Sequence, residues 1–183
     1  MDNSKYYFVK RKSDDTYPFV ALQNLSQVEL GKTKTLEVII RPPVPRDPVI
    51  ADFFSGSKDI FSKRITEVMK AMNMEGVKFI PAEIDDTKGK VYDNYECVIV
   101  DENTYQLFND IDSDYVKSGR RYQFKKLIID RKKLNDIPLN KRLGMRLREA
   151  PGYYLYHQTV VDAIMALNPT GMYFQDIEDY EIL

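Results

Sequence analysis

The segment Ser62-Lys-Arg-Ile-Thr-Glu-Val-Met-Lys-Ala-Met-Asn-Met-Glu-Gly-Val-Lys-Phe79 returns 95 residues later, in altered form, as His157-Gln-Thr-Val-Val-Asp-Ala-Ile-Met-Ala-Leu-Asn-Pro-Thr-Gly-Met-Tyr-Phe174. Ile65, Met69 and Met72 correspond to Val160, Ile164 and Leu167, and spacings of four then three put each set on one face of a helix. Asn73 and Asn168 correspond, as do Gly76 and Gly171. Each copy therefore reads as a short amphipathic helix that stops near the asparagine, turns at a glycine able to take positive φ, and enters a strand. Pro169 reinforces the second stop. Ser62 is expected to cap its helix by accepting a hydrogen bond from a first-turn amide, a place that His157 fills less well. The lone histidine thus reads as a helix-start residue ahead of a ligand or a base. Two copies are too few for a solenoid, so the reading is a related pair of helix-turn-strand units inside one domain.

Outside the repeat the chain is mostly strand-like. Tyr6–Val9, Val20–Leu22, Leu36–Ile40, Val77–Ile80, Val98–Val100 and Leu127–Ile129 are short β-branched or aromatic runs between polar, turn-forming stretches. Many strands with only two clear helices predict an α+β fold with a largely antiparallel sheet. Pro42, Pro43, Pro45 and Pro48 force an extended connection after Ile40. Within a single domain spanning 1–183, that stretch reads either as a surface crossover or as a boundary between a β-rich part, 1–48, and an α+β body, 49–183.

The chain has 183 residues, 43% apolar and 30% charged, with 13 Tyr and 9 Phe, enough to build a core and leave little disorder. No stretch approaches the ~20 apolar residues that span a bilayer, and Met1-Asp2-Asn3-Ser4-Lys5 lacks the pattern of a secretory signal. One cysteine, Cys97, excludes an internal disulfide framework and fits a reducing cytoplasm. Its strand-like surroundings favour a buried, inert thiol over a nucleophile, since the only histidine stands sixty residues away.

A net charge of −1 hides a strong asymmetry. Glu83 to Asp114 carries ten acids against two lysines, Lys117 to Arg148 twelve bases against two acids, and the chain after Val161 five acids and no base. Three readings follow. Neighbouring strands of opposite charge cancel one another; or the acidic segment, joined by the acidic tail, steers a basic protein partner into contact; or the basic segment binds phosphates, with Tyr122 and Phe124 stacking on bases. The overall pI near 5.9 weighs against nucleic acid. For a protein partner the candidate residues are Asp85, Asp86, Asp110, Asp112 and Asp114, with Tyr92, Tyr95, Tyr105 and Tyr115 as aromatic anchors.

Asp110-Ile-Asp112-Ser-Asp114 imitates the start of a calcium loop, but Tyr115 stands where its glycine belongs and Arg121 where its bidentate Glu belongs. One His and one Cys assemble no metal-spaced set, and there is no phosphate-cradling glycine loop, so neither metal nor cofactor is expected. An enzyme with converging carboxylates is the alternative from another class.

From Asp52 to Phe174 the order of features resembles a bacterial family first catalogued as a domain of unknown function and later called polymorphic-toxin immunity protein family eleven. The residues that carry the resemblance are Asp52-Phe53, Ile60-Phe61-Ser62, Gly76 to Ile84, Tyr92-Asp-Asn-Tyr95, Asp110 to Ser113, Met145-Arg-Leu147 and Thr170 to Phe174. The resemblance implies a non-catalytic cytoplasmic protein that neutralises a cognate toxin by binding it. Residues 1–51 match poorly, and no catalytic residues carry over.

Overall fold

The computed structural model describes residues 4–86, 88–118, 121–149, 152 and 154–178. Along the chain, β1 (Tyr6–Arg11) and β2 (Phe19–Leu22) precede α1 (Leu25–Glu29), β3 (Leu36–Arg41), β4 (Phe53–Ser55) and β5 (Asp59–Ser62). Helix α2 (Lys63–Ala71) leads into β6 (Val77–Asp85), then β7 (Val91–Val100), β8 (Thr104–Tyr105), β9 (Asp114–Ser118) and β10 (Arg121–Lys126). Helices α3 (Arg131–Asn135) and α4 (Leu139–Arg142) come next, followed by β11 (Gly144–Leu147), β12 (Tyr154–His157), α5 (Gln158–Met165) and β13 (Met172–Asp176).

The fold is α+β and mostly antiparallel, with the strands shared among two sheets and a ribbon. One sheet has the order β2-β3-β6-β7-β5-β4, the other β13-β1-β12-β11-β8, and β9-β10 stands apart. The parallel pairs are β3 with β6 and β8 with β11.

The repeat is visible in three dimensions. In the first unit β5 and β6 lie parallel on either side of β7, which pairs antiparallel with both. In the second, β12 and β13 flank β1 in the same way. Each unit is thus a split β-α-β, with its helix crossing from one outer strand to the other. The turns match as well: Asn73 and Asn168 have φ of +52° and +50°, Gly76 and Gly171 of +75° and +77°. Asparagine tolerates this left-handed region better than other side chains, and glycine meets no steric cost there.

Corresponding residues enter one shared core. Phe61 and Tyr156, Ile65 and Val160, Met69 and Ile164 belong to the same buried cluster, with Met72, Leu167, Phe79 and Phe174 at its margin. Both helices and the inner faces of both sheets meet there. The outer face of the six-stranded sheet has its own core of Leu36, Val38, Ile40, Ile60, Ile84 and Cys97, with Val28 of α1. The outer face of the five-stranded sheet packs Tyr6, Phe8, Met145 and Leu155 against Phe108, Phe124 and Leu134.

Three expectations are modified. Ser62 occupies the N-cap position of α2 without accepting a capping bond; its hydroxyl donates instead to Asp52 at 2.7 Å. His157 is the side chain that does cap, its Nδ1 accepting from the Thr159 amide at 3.1 Å. Leu127–Ile129 forms no strand beyond a single antiparallel bridge between Ile129 and Phe108. Leu127 and Ile129 are buried, yet the Ile128 carbonyl accepts from the Asn109 amide and its amide donates to Ser113, so loop 109–113 takes the backbone groups a partner strand would need. Residues 4–48 are shared between the sheets, β1 going to one and β2 and β3 to the other. The proline-rich stretch connects β3 to β4 within the six-stranded sheet.

Candidate functional site

The acidic segment is divided by the fold. Asp85, Asp86 and Tyr92 lie at the tip of the β6–β7 hairpin on the six-stranded sheet, where Asp86 accepts from the amides of Lys88 and Lys90 at 2.8 and 3.0 Å. Those backbone bonds, Lys90 first, hold its carboxyl below the ordinary range. The Lys90 ammonium lies 4.4 Å from the Tyr92 ring centre. Tyr95 is withdrawn from the surface: it is 4% exposed, and its hydroxyl donates to the Ala51 carbonyl at 2.8 Å. Burial leads the causes that raise its phenol. It anchors the chain before β4 and is not available to a partner.

The remaining candidates gather around the β9–β10 ribbon. Asn109 organises the loop, accepting from the amides of Ile111 and Asp112 and donating to the Asp112 carboxylate at 2.6 Å. The Tyr115 hydroxyl donates to Asp110, a bond that raises its phenol pKa. Asp114 opens β9 opposite Lys126. Tyr105 is half-buried beside this region, its hydroxyl donating to Asn103 at 3.3 Å. Because Asn109 and Tyr115 engage Asp112 and Asp110, the alternating carboxylates form a bonded turn and do not follow a calcium loop's geometry.

Beneath the loop lies a shallow depression of about 400 Å³, bordered by Asp110, Ile111, Lys117 and Asp130 and floored by Phe108, Tyr115 and Tyr122. The Phe108 ring centre is 5.4 Å from both Tyr115 and Tyr122 and 5.6 Å from Phe124, so the aromatics form one connected plate. Phe124 itself is buried and unavailable for base stacking. Ile111, 92% exposed, projects into solvent beside this depression, while Val116, 53% exposed, alternates with Tyr115 and Lys117 onto the other face of the ribbon. Neither charge nor tyrosine content marks these two residues in the sequence. An isoleucine flanked by aspartates in a turn cannot be buried without burying them too, and that signal was present at Asp110-Ile-Asp112.

Among the described residues, two contacts bring opposite charges of the acidic and basic segments together. Arg146 reaches Asp101 at 3.4 Å, and Lys126 faces Asp114 in the ribbon. Other pairs lie elsewhere: Lys78 with Glu102, Lys141 with Glu75. Of the acidic tail, Asp176 pairs with Lys5 at 2.6 Å and Glu178 accepts from Arg131, while Asp179 and Glu181 lie outside the described residues.

The residues that carry the family resemblance also have structural work. Asp52 is buried and accepts from Ser62, from Arg64, and from both the amide and the hydroxyl of Thr170 at 2.8 Å. Burial alone would raise its carboxyl, but these donors outweigh it and hold it well below the usual range. Arg64 continues to the Leu167 carbonyl at 3.0 Å. Asp52 thereby ties the start of α2 to the turn after α5, joining the two units. Cys97 is buried in a sheet, which pushes its thiol up to about 12, the behaviour of an inert structural cysteine.

No protein-family model matches the chain, and no curated protein does. Among the described residues, no helix is long and apolar enough to cross a membrane.

Proposed function

We propose that this chain is an immunity protein, which binds a cognate toxin stoichiometrically in a bacterial cytoplasm and blocks it without converting a substrate. The order of residues from Asp52 to Phe174 supports that class. The observation that carries the reading is the face above the aromatic plate: Ile111, almost wholly exposed, stands between Asp110 and Asp112 beside a depression that Asp110 and Asp130 border and tyrosines floor. An apolar anchor inside a polar rim is the usual anatomy of a protein-binding hot spot. The aspartates would draw in a basic surface, as nucleic-acid-degrading toxins present.

The test is coexpression with a toxin encoded next to this gene, followed by titration of the purified pair. The expected result is suppression of killing and a one-to-one complex. Replacing Asp110, Asp112 and Asp114 together by Lys should weaken binding by about 10- to 100-fold at low salt and by less at high salt. Ile111→Asp should weaken it at all salt concentrations. Unchanged affinity in both variants removes this face and leaves the class standing; failure to suppress killing removes the class.

A further inference from the structure

A second concave site lies at the seam between the two repeat units, and it rests on different residues from the partner face. Asp59 and Tyr154 open equivalent strands, β5 and β12, at the same repeat offset as the helices. Both line a cleft of about 190 Å³ that is completed by β1, by Arg146 of β11 and by the turn Ser55-Gly56-Ser57-Lys58. The charges around it are lopsided. Lys10, Arg11, Lys58 and Arg146 supply four cations, and Asp59 is the one acid among the lining residues.

Part of this charge is weakly compensated. Lys58 reaches Glu29 only at 3.6 Å, although its side chain is largely covered. Arg11 spends Nη2 on the carbonyls of Asp14 and Tyr17, while its Nε is buried with no hydrogen-bond partner. A buried guanidinium N–H without an acceptor is costly, and an anion in the cleft would relieve it. Asp59 is suited to the same occupant. The Tyr156 hydroxyl donates to it at 3.4 Å, and burial pushes its carboxyl up to about 7. As a neutral acid it can donate to an anionic oxygen; ionised, it repels one.

We propose that this seam cleft binds a small anion bearing a phosphoryl group. Several cations, a carboxylic acid and two flanking serines match a group that carries more than one charge and several acceptor oxygens better than they match a single carboxylate. The cleft needs nothing from the immunity reading, and either can fail alone.

The experiment titrates the full chain calorimetrically with inorganic phosphate, glycerol phosphate and acetate. Saturable binding of a phosphate compound, with acetate at least about tenfold weaker, is expected. Equal affinity for the two phosphates identifies the free ion, and tighter glycerol phosphate identifies an ester whose organic part fills the rest of the cleft. Lys58→Glu should weaken binding by at least about tenfold, while Lys88→Glu, which changes the same charge at the distant β6–β7 tip, should not. Asp59→Asn separates the acid's role from the ligand's own titration. The groups that act on Asp59 are Tyr156 and Tyr154 of β12 and Cys97 of β7, with Lys10, Arg11, Lys58 and Arg146 elsewhere around the cleft. With its carboxyl raised to about 7, Asp59 should change charge between about pH 6 and about pH 8, so the affinity ratio of Asp59→Asn to the parent should rise across that range. No saturation by either phosphate up to about 10 mM, equal loss in the two lysine variants, or a ratio that does not move with pH would overturn the proposal.

Discussion

The two split β-α-β units share a helix, a turn and a common core, yet they obtain their middle strand differently. In the first, β7 follows β6 through a hairpin, so all four elements are local. In the second, β1 arrives from the opposite end of the chain, pairing Tyr6 with His157 and Arg11 with Met172. The helix starts differ in a related way. His157 caps α5 through its own ring, whereas Ser62 gives its hydroxyl to Asp52, and that carboxylate then bonds across to Thr170 in the second unit. The local unit thus lends its cap residue to a junction, and the assembled unit keeps its own. Equivalent sequence positions need not do equivalent work once two copies must also hold each other.

Seven substitutions sharpen that comparison, from the largest effect in the core to the smallest at a helix cap. Met69→Ala and Ile164→Ala delete equivalent buried side chains of the shared core, and each should destabilise by about 3–4 kcal/mol in urea denaturation. If the core is one body the transition stays single for both; two transitions in either variant would show units that melt separately. Gly171→Ala should cost about 3 kcal/mol, because positive φ is combined with a methyl placed 2.4 Å from the Ala51 Cβ. Gly76→Ala should cost less, since its added methyl meets the Asn103 side chain, which can shift at the expense of its bonds to Glu75 and Gly144.

Asp52→Asn removes the junction's charge. Arg64 is half exposed, so the loss should be about 2 kcal/mol at neutral pH, below that for a fully buried pair. The folded state holds this carboxyl below its unfolded value, so its contribution is complete above about pH 5 and drains away as pH falls further. The variant should therefore show a flatter acid limb in stability against pH. Smallest is Ser62→Ala, about 1 kcal/mol, which should act through Asp52, whereas His157→Ala loses the cap and also empties a buried site against Tyr6 and should cost about 3 kcal/mol. A double-mutant cycle checks this, since Ser62→Ala should couple with Asp52→Asn and His157→Ala should not.

The repeat was legible because core-facing residues of a helix keep their spacing whatever they pack against, and because Asn73, Gly76, Asn168 and Gly171 mark backbone that few other residues accept. The α+β class followed from short alternating runs. What escaped was everything set by long-range pairing. No local pattern says that β1 belongs between β12 and β13, or that Ser62 faces Asp52 instead of its own helix. Leu127–Ile129 looked like a strand because burial of alternate residues is shared by strands and by loops pressed onto a core. The candidate site was partly legible: Asp110 and Tyr115 border one depression, with Asp112 and Asp114 close to them in the chain, while Tyr95 looked like them and is buried. The seam cleft escaped altogether, since its residues come from four separate stretches.

The place of β1 has a bearing on how the molecule is made. Its two neighbours lie about 150 residues further along the chain, so Tyr6–Arg11 leaves the ribosome with no hydrogen-bonding companion in its sheet and waits, at typical elongation rates, for roughly 10–30 s. During that interval an aromatic, β-prone ribbon of backbone is open to stray pairing, and only completion of the C-terminal third closes it. Slowing translation between residues 100 and 150 should therefore raise the aggregated fraction.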